Sequence, residues 1–174
     1  MNTIFILTLV FVFLAVFVES IVLILQLKGK KLSKWFGKNA FHVHMIVTLS
    51  FWGLAFCLVI ALQFVKSPSF HNNILFKLIG FTLLISGLII AVWGFWLLGL
   101  KRSLCLNFFE DNVPVVNHSL YKSIKNPEDT GFWLALFGLA LFTGSVYNLI
   151  VAVEFIVLMI PHQMLENVPL NKEK

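Results

Sequence analysis

The sequence predicts an all-α, polytopic membrane protein with about five transmembrane helices, the last two forming a C-terminal helical hairpin. Three observations carry this reading. First, 59% of the 174 residues are hydrophobic and only 12% are charged, whereas soluble domains carry roughly 25% charged residues. Second, the apolar residues fall into long blocks, at 3–27, 44–65 and 74–100. Two shorter blocks follow at 131–146 and 149–161, broken around Gly144-Ser145 and Asn148. Third, the basic residues gather where these blocks end. With a mean hydropathy of +0.93, a chain this short has no interior large enough to bury its apolar surface, so lipid must be part of its solvent. Residues 1–174 read as a single membrane domain.

The first block, 3–27, is long enough to cross a hydrocarbon core of about 30 Å at ~1.5 Å per residue. It lacks a basic leader and a small-residue cleavage site, and it runs on past Glu19 and Ser20, so it reads as a retained span. Glu19 inside it is expected to lie near the interface within reach of Lys28, to be hydrogen-bonded between helices, or to belong to a site. Residues 28–43 are basic and amphipathic. Lys31, Lys34 and Lys38 share one helical face, and Leu32, Trp35, Phe36 and Val43 share the other. The pattern describes a helix in the headgroup plane, with Lys28–Lys38 meeting anionic lipid.

In the second span, 44–65, Cys57 is expected to be a small core residue. A turn at 67–73 leads to the third span. There Gly80, Gly87, Ala91 and Gly94 form a small-residue stripe that invites another helix to approach closely. Gly131, Ala135 and Gly138 offer a second such face, and the two could meet within one chain or between two. Glu154 is a second intramembrane carboxylate, expected to be partnered or protonated. Pro161 is expected to end or kink the last helix, and 162–174 to return to the surface.

Charge asymmetry gives a direction. Five lysines follow span one, and Lys101, Arg102, Lys122 and Lys125 lie between the third and fourth spans. Only Lys66 and Lys77 lie in the intervening loop. The positive-inside rule then places 28–43, 101–130 and the C-terminus in the cytosol and the N-terminus outside. The net charge of +5 is explained by topology and forms no separate nucleic-acid-binding module. Cys57 and Cys105 lie far apart and outside any CxxC, so neither a disulfide framework nor a zinc site is indicated. His42, His44, His118 and His162 fall at span ends or in surface segments and read as interfacial rather than as metal or haem ligands. There is no glycine-rich phosphate loop.

The longest polar stretch, 113–131, is where a water-soluble cofactor would meet a lipid-soluble substrate. Long loops in compact proteins are usually functional or disordered. Apolar anchors (Val113, Val115, Val116, Leu120, Tyr121, Ile124) and turn residues (Pro127, Gly131) predict order here. Glu128 and Asp129 read as solvated or as favourable charges at a helix start.

From Ser119 to Gly131 the pattern resembles integral-membrane methyltransferases of the isoprenylcysteine carboxyl methyltransferase and phospholipid methyltransferase type. Those carry Gly-x-Tyr-x-x-x-Arg-His-Pro-x-Tyr-x-Gly. The spacing is kept here, with Tyr121, Pro127 and Gly131 matching. Lys125 stands for the arginine, Asn126 for the histidine, Asp129 for the second tyrosine and Ser119 for the first glycine. The family's later Glu-Glu-x-x-Leu appears as Glu166-Asn167-Val168-Pro169-Leu170. The likeness covers roughly the last 80 residues and the general pattern of spans before them.

The resemblance implies S-adenosylmethionine as cofactor and a lipid or lipidated acceptor entering from the bilayer, such as an isoprenylcysteine carboxylate or a phospholipid amine. It also implies a cofactor site built from Tyr121, Lys125, Asn126, Pro127, Gly131, Glu166 and Asn167, without a metal. Lys125 and Asn126 would meet the cofactor's carboxylate and Glu166 its amino group. Lysine lacks arginine's bidentate fork, and asparagine, although it donates and accepts hydrogen bonds, is no base. These substitutions keep a second reading in view, a non-catalytic membrane binding protein on the same scaffold.

Overall fold

A computed structural model gives the fold, and its described residues are 2–110 and 118–166. The helices are α1 (Thr3–Leu27), α2 (Lys31–Phe36), α3 (Ala40–Leu62), α4 (Ile74–Leu98), α5 (Leu100–Ser103), α6 (Ser119–Ser123), α7 (Pro127–Thr143) and α8 (Val146–Glu166). Short 3-10 turns occupy Gly37–Asn39 and Leu106–Phe108. Among the described residues four helical stretches are long and apolar enough to cross a membrane: Thr3–Leu27, Lys31–Leu62, Ile74–Leu98 and Val146–Glu166. The protein is therefore all-α and polytopic. α7, with 17 residues, is about 26 Å long and lies along α4.

The long helices pack in the order α3, α1, α8, α7, α4. α1 buries one face, Phe5, Thr8, Val12, Ala15, Val16, Glu19, Leu23 and Gln26, at the three-and-four spacing that puts residues on one side of a helix. Phe5, Val12 and Val16 meet Ala55 and Leu62 of α3 and Val151, Phe155 and Met159 of α8 in the main apolar cluster. Thr8 adds no unpaired group, because its hydroxyl donates to Ile4 O at 2.7 Å.

α4 is held differently. Its buried residues are Gly80, Gly87, Ala91 and Gly94, and they face the backbone of α7. A Cβ on Gly87 would lie 2.5 Å from Ala135 N and 2.6 Å from Gly131 O. Gly80 fits against Phe142 N and Gly138 O, Gly131 against Ala91 N, and Gly138 against Leu84 N. The two stripes thus find each other within one chain, and the backbones approach as only small residues allow.

One end of the bundle is stitched by backbone. Ser69 and Ser145 form an isolated antiparallel bridge, with Phe70 N donating to Gly144 O and Val146 N to Pro68 O, both at 2.9 Å. Gly144 caps α7 at φ 66, a left-handed turn that glycine takes without penalty. Gln63 and Asn148 exchange side-chain hydrogen bonds at 2.9 and 3.1 Å, and Phe5 stacks on Tyr147 with centroids 4.2 Å apart.

Several details differ from the sequence reading. Cys57 is exposed on the outer side of α3, not a core residue, because the inward positions of that helix are taken by Thr48, Ala55 and Leu62. The basic segment is a short helix and a 3-10 turn that run into α3. Leu32 is buried there while Trp35 and Phe36 stay exposed, so the apolar face is open. α7 begins four residues earlier than its apolar block, since Asn126-Pro127 starts the helix with proline in its first turn, where a missing N–H costs nothing. α8 continues through Pro161 to Glu166. Proline forfeits one intrahelical bond, and the tertiary contacts of His162 and Glu166 described below hold the turn beyond it. Glu154 Oε2 has no hydrogen-bond partner among the described residues. The anchors Val113, Val115 and Val116, together with 167–174, lie outside the described residues.

Candidate functional site

At the opposite end of the bundle from the backbone stitch, four polar side chains from three parts of the chain meet. Glu166, in the last turn of α8, is the centre. Its Oε2 accepts from Asn126 Nδ2 at 3.2 Å, and its Oε1 accepts from Cys105 Sγ at 3.1 Å. The same Oε1 lies 3.5 Å from His162 Nε2. A carboxylate has about four acceptor positions, so these contacts leave room for a further donor. The side chain is 24% exposed, which gives such a donor a way in.

The local sequence explains why each group is there. Asn126 is the residue before Pro127 and has non-helical backbone, φ −127 and ψ 83, because the proline ring crowds the helical region for the residue before it. That conformation sets its amide beside the start of α7 rather than in the helix. His162 and Glu166 are four apart on α8, hence on one face. Cys105 has a left-handed backbone, φ 61, in the sharp turn between α5 and the 3-10 turn that follows. Its thiol is 3% exposed. Burial first, and then the charges of Glu166 and Glu19, push the thiol's pKa well up, so it remains a neutral donor to Glu166.

The network reaches down into the bundle. His162, 2% exposed, has Nδ1 3.0 Å from Ser20 Oγ and Nε2 3.9 Å from Glu19 Oε2. That same Glu19 oxygen accepts from Trp52 Nε1 of α3 at 2.8 Å. Glu19 is thus hydrogen-bonded between helices and joined to the site at once, and Trp52 and His162, not Lys28, are its neighbours. It stands about 12 Å of helix from Leu27. On α7, Asp129 Oδ2 accepts from Gln163 Nε2 at 2.9 Å, so it binds α7 to α8 instead of facing water.

Tyr121 and Glu128 make a second, adjoining group. The Tyr121 hydroxyl lies 2.9 Å from Glu128 Oε2 and 3.1 Å from Gly94 O of α4. This needs close packing: a Cβ on Gly94 would stand 2.9 Å from Glu128 N and 3.2 Å from Pro127. Burial, then the neighbouring Glu128, raise the pKa of the phenol, which holds it protonated.

The sequence-derived residues divide as follows. Asn126 and Glu166 are in contact. Tyr121, Pro127 and Gly131 build the α4–α7 seam beside them, where Pro127 and Gly131 are buried. Lys125 is exposed, one residue from the contact. Asn167 lies outside the described residues. Sequence reasoning allowed Glu19 a place in a site without its partners, and it missed Ser20, Trp52, Cys105 and His162. The His162–Glu166 spacing of four was a readable sign. Reading His162 as interfacial hid it, since the side chain is buried.

A family model described as phospholipid methyltransferase matches residues 75–172, more than half of the chain. It spans α4, the polar segment, α7, α8 and the Glu166 turn. The chain belongs to the phospholipid methyltransferase family. It is accordingly a multi-pass membrane protein of a methyltransferase family, in keeping with its likeness to the isoprenylcysteine carboxyl methyltransferase type. No curated protein and no solved structure gives a significant match. Members of the phospholipid methyltransferase family generally use S-adenosylmethionine.

Proposed function

We propose that this phospholipid methyltransferase family member transfers a methyl group from S-adenosylmethionine to a membrane-dissolved acceptor, at the end of the bundle where Asn126 meets Glu166. The observation that carries this reading is the 3.2 Å contact between those two residues. Each stands at one of the two family motif positions, and they are 40 residues apart. The donor set suits the cofactor. Glu166 keeps an open acceptor position for an ammonium, Lys125 is an exposed cation one residue from Asn126, and Asn126 Oδ1 and Nδ2 serve either polarity. When bound, S-adenosylmethionine supplies an electrophilic methyl on a sulfonium. The chain's contribution is to bind and orient, and positioning alone is worth ~7–11 kcal/mol in a two-substrate reaction. No metal is needed for an in-line displacement.

Charge favours an amine acceptor over a carboxylate. Glu19, Glu128, Asp129 and Glu166 lie in and beside the site, while Lys125, His162 and Arg102, whose charge reaches Tyr121, are the cations near them. An anionic headgroup would be repelled, whereas a lipid ammonium would be drawn in and would shed its proton to solvent before attack. The acceptor's tails would remain in the bilayer beside the helices. By the positive-inside rule, this end, with Lys28 to Lys38, Lys101, Arg102, Lys122 and Lys125, faces the cytosol and anionic lipid.

The test is calorimetric titration of the detergent-purified protein with S-adenosylmethionine, beside Glu166→Ala. Binding in the wild type that is lost in the variant supports the site. Methyl transfer is then compared on vesicles of amine phospholipid and on a prenylated cysteine carboxylate. Absence of binding at millimolar cofactor by folded protein would sink the reading. It would leave the non-catalytic scaffold, which the Lys125 and Asn126 substitutions favour.

A further inference from the structure

We propose that Glu19, on a helix outside the residues matched by the family model, is a specificity-determining residue of the cofactor site. Through His162 it supplies the negative charge by which the site prefers the cationic methyl donor to its neutral demethylated product. The inference rests on the proposed cofactor reading.

Two carboxyl groups converge on one imidazole nitrogen. Glu19 Oε2 lies 3.9 Å from His162 Nε2, and that nitrogen lies 3.5 Å from Glu166 Oε1. His162 is tied on its other side to Ser20 Oγ at 3.0 Å, and Glu19 is fixed by Trp52 Nε1 at 2.8 Å. All the members sit on long packed helices, α1, α3 and α8, so the arrangement is pre-set before any ligand arrives. Glu19 is 5% exposed and His162 2%, so water screens their charges little, and a buried charge is felt over several ångströms.

The charge count then decides. If the imidazole alone faced Glu166, a proton on the ring would neutralise that carboxylate and leave nothing for a ligand's positive charge. With Glu19 facing the same ring nitrogen, a proton there lies beside two carboxyls, and with both ionised the trio keeps a net charge of −1. A neutral ring would leave −2. The bond that Glu19 accepts from Trp52 Nε1 and the facing imidazole favour its ionised form, and in that form it adds one negative charge in either state of the ring.

The two forms of the cofactor differ by one charge. S-adenosylmethionine carries a sulfonium, an ammonium and a carboxylate, for a net +1. S-adenosylhomocysteine has lost the sulfonium charge with the methyl group, for a net 0. Their shape and their amino-acid ends are otherwise shared. A residue that contributes field rather than contact therefore affects the first more than the second. After transfer, the weaker hold on the neutral product would also speed its exchange for fresh donor.

The test is competitive binding of the two cofactors to full-length protein in detergent, comparing wild type, Glu19→Gln and Glu19→Asp, with folding checked by circular dichroism and gel filtration. The isosteric amide can still accept from Trp52 but has no charge. The expected result is a loss of about tenfold in S-adenosylmethionine affinity for Glu19→Gln, with at most about a twofold change for S-adenosylhomocysteine. Glu19→Asp should retain most of the preference. Equal weakening of both ligands would mark Glu19 as a packing residue and overturn the proposal, and so would no change in either. Wild-type protein that binds neither ligand would overturn the cofactor reading itself, and this proposal with it.

Discussion

Asn126 Nδ2 donates to Glu166 Oε2 across 3.2 Å, and this bond ties the start of α7 to the end of α8. The pair is one donor and one acceptor, and its sign can be reversed. In Asn126→Asp two carboxylates would face each other at the same distance. Like charges at close range destabilise, so thermal unfolding in detergent at pH 7 should show a loss of about 1–3 kcal/mol. Acidification should shrink the loss, because a proton on either carboxyl restores a donor. A variant as stable as wild type at pH 7 would mean that the two side chains do not meet.

The α4–α7 seam gives a steric prediction. Gly87→Leu would drive a side chain into the backbone of Ala135 and Gly131, where even a Cβ has only 2.5 Å. Overpacking of this kind costs about 1–3 kcal/mol or more, read as an unfolding midpoint in a mild-to-harsh detergent series. Gly53 of α3 has nothing within 4 Å of a Cβ. Gly53→Ala should hold stability or raise it by up to about 1 kcal/mol through helix propensity.

The two cysteines should behave oppositely. Cys57 is exposed and Cys105 buried. Only a thiolate reacts readily with maleimide, and the thiol of Cys105 is held protonated by burial and by Glu166 and Glu19. A lipophilic maleimide at pH 8 should add one label per chain, at Cys57, by mass spectrometry, and the second only after unfolding. Rapid double labelling of folded protein would contradict the placement of Cys105.

Tyr121 adds a pH-dependent term. Its folded pKa is raised above the unfolded value of about 10. Its contribution to stability is therefore fully present below about pH 10 and declines as pH rises towards the folded pKa, because the unfolded chain ionises first. Comparing wild type with Tyr121→Phe between pH 8 and 11 isolates this slope. The variant should lose about 0.5–1.5 kcal/mol at pH 8 by forfeiting its hydrogen bond, and the gap should narrow at higher pH.

The fold class was legible because apolar length and composition act locally: any helix of some 20 apolar residues must find lipid. The glycine stripes were legible too, since a spacing of seven places Gly80, Gly87 and Gly94 on one side whatever they meet. Their partner was not, and Gly131, Ala135 and Gly138 could equally have faced another molecule. At the site, Asn126 and Glu166 were found through motif spacing. Glu19 was seen as an anomaly, a carboxylate in an apolar run, but its neighbour is His162, 143 residues away in the chain, and no local pattern encodes such a distance. Cys57 was misplaced for the same kind of reason: in a span apolar on every side, the sequence does not mark which face turns inward.

The seam between α4 and α7 has a consequence for how the protein is made. α4 has left the ribosome long before α7 exists, because 45 residues separate Leu98 from Thr143. At ~5–20 residues per second, that is roughly 2–9 s of translation. During this interval the glycines of α4 have no backbone to rest against, although the helix is long and apolar enough to stand alone in lipid. Assembly must therefore be a docking of an already inserted helix by a later one. Site-directed cross-linking of ribosome-stalled chains from Gly87 would report lipid or insertase neighbours before Ala135 emerges, and α7 afterwards.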